Sequence, residues 1–235
     1  MTNEEFLAQL EHAEGVSVAP GADGDAMKKL TDYVALPATH LELLQTANGI
    51  SVFGGYFRLF GCSSPTAIDM IEWNSSDVWC FAWNKPLDEY WFFGETAWGD
   101  QYAYRRDELR HSSAPRVFFL EGISMNAEVI ADDFAAFLES EFLRNALQPY
   151  DANLVAARHR LGRLKPLEHI VYIPSPLITG EEIVDSVSKL DAVASMIVIG
   201  DRCRQLAEQS QDRLIREIQP YEDSNGRMRM RVVWS

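Results

Sequence analysis

The stretch "WFFGETAWGDQYAYRRDEL", Trp91 to Leu109, decides how this chain is read. It supports two readings. In one it is a reactive loop, with Glu95 and Asp100 poised for acid–base chemistry or a metal. In the other it is a tightly turned hairpin whose acids face water. The residue order favours the hairpin. "EYWFFGET" is strand-like, "AWGDQ" holds a glycine and an aspartate of the kind that turns use, and "YAYRR" returns.

Working outward, "ISVF" and "GYFRLFG" precede the hairpin as short strands around Gly54-Gly55, and "RVFFLEG" and "NAEVIA" follow it as two more. Helices flank the run. Phe6, Leu7 and Leu10 make an apolar stripe behind an Asn3 cap, and Met27, Leu30 and Val34 make a second. In "LPATHLELLQTANG", Thr39 is a cap, Leu41, Leu43, Leu44 and Ala47 form the buried face, and Asn48-Gly49 is the left-handed stop. "PTAIDMIEWN" reads as a helix, "DVWCFAW" as a buried strand or helix, and "DDFAAFLESEFLRNAL" as the closing helix. Helices, a run of antiparallel strands and a closing helix make an α+β pattern rather than an alternating one.

Residues 149–166, "PYDANLVAARHRLGRLKP", read as a basic linker helix between a first domain, 1–148, and a smaller α+β region, 167–235. In that region "EHIVYIPSP" and "EEIVDSV" are expected strands and "KLDAVASMIVIGDRCRQLAEQ" a helix. "LIREIQPYED" and "RMRMRVVW" form a terminal hairpin, with Asn225-Gly226 predicting a type I′ turn. Arg227, Arg229 and Arg231 share one face of the last strand, facing solvent by default or docking on the acidic first domain.

The charge is unevenly spread. Residues 1–150 hold 23 acids and 9 bases, whereas 151–235 hold 12 of each, so the whole net charge of −14 lies in the first part. An acidic body repels nucleic acid and speeds encounters with basic partners, although solubility alone also accounts for it. No apolar run approaches the ~18 residues of a membrane span, and the acidic start "MTNEEFLAQLEHAEG" is unlike a secretory signal. Cys62, Cys80 and Cys203 are odd in number and widely spaced, which predicts a cytoplasmic protein with free thiols.

No nucleotide-binding, zinc-protease, EF-hand or nucleophile-elbow motif is present, and the five histidines lack metal-ligand spacing. No cofactor or metal is therefore expected. Asp132-Asp133 reads as a helix cap and "RHRLGR" as a solvated helix rather than a nucleic-acid patch. Five of six tryptophans fall between Trp73 and Trp98. Most suit a core, and Trp98, beside the Gly99 turn, is the candidate for exposure.

"LPATHLELLQTANGI", "FFGETAWGDQYAY" and "DDFAAFLESEFL" together resemble the helix, hairpin and final helix of the SUKH superfamily, over about residues 3–145. That superfamily includes the fungal cell-wall-assembly regulators and bacterial immunity proteins. The resemblance implies a mainly antiparallel sheet flanked by helices and a non-catalytic protein-binding role. Bacterial members neutralise polymorphic or contact-dependent toxins, often nucleases. Ser63 to Pro86 is longer and richer in tryptophan than the pattern, and 151–235 lies outside it.

Three functions are thus expected in order. The first is a cytoplasmic bacterial immunity protein that occludes a basic toxin through Asp77, Asp88, Glu89, Glu95, Trp98 and Asp100, with DNA mimicry as a variant. The second is a regulatory scaffold with several protein partners. The third is a hydrolase built on His169, Glu181 and Glu182.

Overall fold

The computed structural model describes residues 1–63, 68–176, 181–208 and 215–234. Seven strands, β1 (Ser17–Pro20), β2 (Ala47–Val52), β3 (Phe57–Leu59), β4 (Tyr90–Thr96), β5 (Gln101–Arg105), β6 (Val117–Leu120) and β7 (Ala127–Ala131), form one sheet. Every neighbour is antiparallel and the spatial order is the chain order. The fold is α+β, as the sequence pattern predicts.

Period-two alternation splits this sheet into two buried faces. Trp91 and Phe93 of β4, Tyr102 and Tyr104 of β5 and Val117 of β6 point to one face. Phe92, Ala103, Phe118 and Leu120 point to the other. The first face is covered by α1 (Asn3–Leu10), α2 (Gly24–Tyr33), α3 (Ala38–Thr46), α6 (Phe134–Phe137) and α7 (Leu143–Leu147), with a π-helical turn, Leu138–Phe142, joining the last two. The second is covered by the tryptophan-rich segment, comprising the one-turn α4 (Met70–Trp73) and two 3-10 turns at Cys80–Ala82 and Leu87–Glu89. Over it lies α9 (Ala192–Ala207), which contributes Ala192, Met196 and Ile199.

The remaining elements are α5 (Arg106–His111), α8 (Ala152–Leu161), the pair β8 (Glu168–Tyr172) and β9 (Val187–Asp191), and the hairpin β10 (Ile215–Glu222) and β11 (Met228–Trp234). The basic segment is docked rather than extended between units. Leu154 and Ala157 of α8 are buried in the first core, and Arg158 lies 4.2 Å over the Phe53 ring and 2.5 Å from Glu14. Leu164 N–H donates to Gly54 O, and Tyr56 Oη donates to Gly162 O. Both cores cross residue 148: one runs from Phe6 to Val187, the other from Trp73 to Ile199. The C-terminal part therefore completes the cores of the first part.

Several local expectations change. Thr2, not Asn3, caps α1, in a capping box with Glu5. Pro37 stands at the α3 cap position, and the helix runs straight into β2 at Ala47 instead of stopping at Gly49. Of the expected helix from Pro65, only Met70–Trp73 is helical, and 65–67 lie outside the described residues. So do Gln209 and Leu214, the expected end of α9 and start of β10. "EEIVDSV" holds a 3-10 turn, Val184–Ser186, before β9. Strand β1 and helix α5 carry no clear sequence signal. In the terminal hairpin only Gly226 takes positive φ, at 76°, and Gly226 N–H donates to Asp223 O. Type I′ needs positive φ at both central residues, so this is a type I turn closed by a left-handed glycine.

Candidate functional site

The quoted hairpin is β4, the Ala97–Asp100 turn and β5, and its two acids face inward. Register places Arg58 of β3 opposite Glu95 of β4, and Glu95 opposite Gln101 of β5. One row of the sheet thus carries a cation, an acid and an amide side by side. Arg58 Nε lies 3.1 Å from Glu95 Oε1 and Gln101 Nε2 3.4 Å from Glu95 Oε2. His169 of β8 closes the row, with Nε2 2.9 Å from Glu95 Oε2. Trp73 Nε1 donates to Gln101 Oε1 at 2.8 Å. The Arg58 guanidinium also donates to the carbonyls of Lys165, Pro166 and Glu168, the chain leading into β8.

Glu95 is 2% exposed and His169 fully buried. Burial alone would raise the Glu95 carboxyl, but the Arg58 guanidinium, then the His169 imidazole, outweigh it and hold the carboxyl below its ordinary value. Glu95 is therefore a buried anion that ties the C-terminal part to the sheet. Its expected place on a partner-facing surface is corrected.

Asp100 is likewise committed internally. Its Oδ2 accepts from Thr96 Oγ1 at 2.6 Å and its Oδ1 from Gly122 N–H at 2.7 Å, fastening the β4–β5 turn to the end of β6. Burial pushes this carboxyl up, against the pull of those two hydrogen bonds. Trp98 is half-buried rather than exposed: its ring stacks on Tyr172 with centroids 4.7 Å apart, and Nε1 donates to Asp151 Oδ2 at 2.8 Å. Asp151 also caps α8 through Oδ1. The stretch from Trp91 to Leu109 is thus a hairpin whose two acids Glu95 and Asp100 serve the interior.

Asp77, Asp88 and Glu89 lie elsewhere, exposed on the irregular segment before β4. Glu89 has Arg105 Nη2 at 3.8 Å. The six sequence-derived residues thus divide into three exposed acids and three residues of the turn and interior.

The hydrolase trio is not brought together. His169 is sealed against Glu95, whereas exposed Glu182 accepts from Asn153 Nδ2 at 2.8 Å and from Tyr172 Oη at 3.4 Å. Burial pushes the three thiols up, Cys80 to about 12, and so away from the thiolate form that reacts. Among the described residues no group of three or more His, Cys, Asp or Glu side chains could hold a metal, and no helix is long and apolar enough to cross a membrane.

Two anchors escaped the sequence reading. Arg58 is the one charged residue in "GYFRLFG", a signal for an inward ion pair once its strand is buried on both faces. Asp201 is fully buried in α9, where Arg229 of β11 binds it through two guanidinium nitrogens and Met230 N–H donates to it at 2.8 Å. Two of the three arginines of that face are therefore docked, Arg227 and Arg229 lying 3.9 and 5.1 Å over the Phe81 ring of the first part, whereas Arg231 stays exposed, 4.8 Å over Tyr221 of its own hairpin.

This geometry defines an α+β protein built on a seven-stranded antiparallel meander, with a C-terminal segment keyed into it by the Glu95–His169 contact and by the Arg58 guanidinium on the carbonyls that lead into β8. A solved structure of similar fold is that of Atu4351 from Agrobacterium tumefaciens, with a TM-score of 0.53 and 11% sequence identity. The likeness covers 89% of this chain and 90% of that one, so the shared fold takes in the C-terminal part as well. No family model and no curated protein matches the chain.

Proposed function

We propose that the protein is a non-catalytic binding module that covers a basic protein partner, and specifically an immunity protein that neutralises a bacterial toxin by occlusion. The observation that carries this reading is the distribution of charge after internal pairing. Five of the nine bases in residues 1–150, Lys29, Arg58, Arg105, Arg116 and Arg144, are each matched to an acid of the same part, so four bases stand against a much larger number of remaining acids. Glu4, Glu11, Asp25, Asp32, Asp77 and Asp88 stay exposed, without an ion pair among the described residues. An acidic surface of this kind steers a basic partner and repels nucleic acid. The short motifs that resemble those of the SUKH superfamily support the same role.

The test is a tagged pull-down from native lysate with the captured proteins identified by mass spectrometry. The expected result is one stoichiometric, basic partner that is toxic when expressed alone. Many substoichiometric partners would replace this reading with the regulatory scaffold. Asp77→Asn with Asp88→Asn should slow association with that partner about two- to tenfold at low salt and lose its effect at high salt, with the thermal midpoint unchanged.

A further inference from the structure

A cavity of about 580 Å³ lies between α9, β8 and the β4–β5 turn, and the surface-binding role above makes no use of it. Its volume is within the ~300–1,000 Å³ of small-molecule sites. Its walls are largely aliphatic and aromatic: Ile170, Tyr172, Ile199 and Ile218 line it, and Ile123 and Ile173, 52% and 60% exposed, stand at its rim. One face of α9 supplies the floor, because Ser195, Val198, Ile199 and Arg202 recur at helical spacing.

Two polar groups on that floor are left open. Among the described residues the hydroxyl of fully buried Ser195 has no hydrogen-bond partner, and neither has the buried Nε of Arg202. Among the described residues Arg202 has no carboxylate partner, and burial, the largest influence on it, holds its guanidinium below its ordinary value. Buried donors without partners are costly, at ~1–3 kcal/mol each and more for charged groups.

The acids on the same walls, by contrast, are already satisfied. Asp100 accepts from Thr96 and Gly122, Asp151 from Trp98 and the first turn of α8, Glu182 from Asn153 and Tyr172, and Glu121 from Ser124. An anion beside Arg202 and an apolar body along the isoleucines would complement these walls.

We propose that this cavity binds a small apolar monocarboxylate, its tail among the isoleucines and its carboxylate on Arg202 and Ser195. A single guanidinium matches a single negative charge; a dianion would leave a charge uncompensated within a cavity already lined by four acids.

Calorimetric titration of the intact protein with octanoate, 1-octanol and octyltrimethylammonium tests this. Octanoate is expected to bind at one saturable site, at least about tenfold tighter than the other two. Arg202→Met should weaken octanoate about tenfold and leave 1-octanol unchanged, Ser195→Ala should weaken it about threefold, and Val198→Trp should fill the cavity and abolish both. Ser195→Ala and Val198→Trp decide the matter should the arginine variant fail to fold. No saturable octanoate binding, equal binding of all three probes, tighter binding of the cationic one, or indifference of octanoate to these variants would each overturn the proposal.

Discussion

The two faces of the sheet are buried by different means. On the first face, helices with regular apolar stripes lay phenylalanines and leucines on Phe93, Tyr102 and Tyr104, and the aromatic rings pack directly. Phe93 and Tyr104 stack at 4.5 Å, and Phe93 meets Phe137 edge-on at 5.5 Å. On the second face large indoles from an irregular segment are pinned by single hydrogen bonds. Trp73 Nε1 reaches Gln101 and Trp79 Nε1 reaches the Trp73 carbonyl, with α9 laid over them from more than a hundred residues later in the chain. Beside the indoles sits the Arg58–Glu95–His169 cluster. The first face is a packing problem; the second also depends on polar groups that must find their partners.

Substitutions can break that contrast. The largest effect is expected from Glu95→Ala, which leaves Arg58 and His169 facing each other in the interior. Loss of one partner from a buried ion pair costs about 3–5 kcal/mol, measurable by denaturant unfolding.

Acid sharpens the contrast, because each face has its own sensitive group. On the first face His40 is 1% exposed, stacks on Phe134 at 4.1 Å and lies 3.1 Å from Tyr104 Oη. Burial pushes its imidazole down to about 3 from 6.5. The unfolded chain therefore takes up a proton first, and stability falls as pH drops from about 6.5, by about 4 kcal/mol at pH 3. Glu95 acts on the second face with its folded value lowered, so its contribution is full above the ordinary carboxylate value and is lost only as pH falls through the folded one. Urea midpoints at pH 7, 5.5 and 4.5 should decline in the native protein, and His40→Phe should flatten that decline while Glu95→Gln leaves it in place.

One substitution made on both faces separates them next. A Cβ at Gly200 of α9 would come within 2.7 Å of the Trp83 indole, whereas one at Gly24 of α2 meets nothing within 4 Å. Gly200→Ala should destabilise by about 1–3 kcal/mol through overpacking, and Gly24→Ala should be neutral or stabilise by up to about 1 kcal/mol. Thermal midpoints of the two variants check the difference. A smaller loss than that of Gly200→Ala belongs to Trp98→Phe, which keeps the stack on Tyr172 and gives up the bond to Asp151, for about 1 kcal/mol.

The same contrast explains what the sequence disclosed. Helix α3 and the β4–β5 hairpin are legible because Leu43, Leu44 and the alternating aromatics carry their own periodicity. The segment from Trp73 to Leu87 has no period to read: its helical pieces are three or four residues long, and its burial is decided by contacts with α9. Glu95 and Asp100 stand out in the sequence, but which way they point does not. The register shift between Phe92 and Gly94 interrupts the alternation, and the partners that draw Glu95 inward, Arg58 and His169, are 37 and 74 residues away. The C-terminal part reads as a separate unit because its own hairpin and helix are locally complete, while its attachment rests on Leu164, His169 and Ile170, each matched to a distant strand or turn.

Native-state hydrogen exchange tests that attachment most directly. Ile170 N–H donates to Ala97 O and Leu164 N–H to Gly54 O, so both amides report on the junction itself. If the C-terminal part completes the cores, these amides exchange with the same opening free energy as those of β4 and β5, through one common unfolding. Exchange at Ile170, Leu164 and α9 through an opening about 2 kcal/mol or more easier than that of β4 and β5 would contradict it, and would show a C-terminal unit that detaches from a folded sheet.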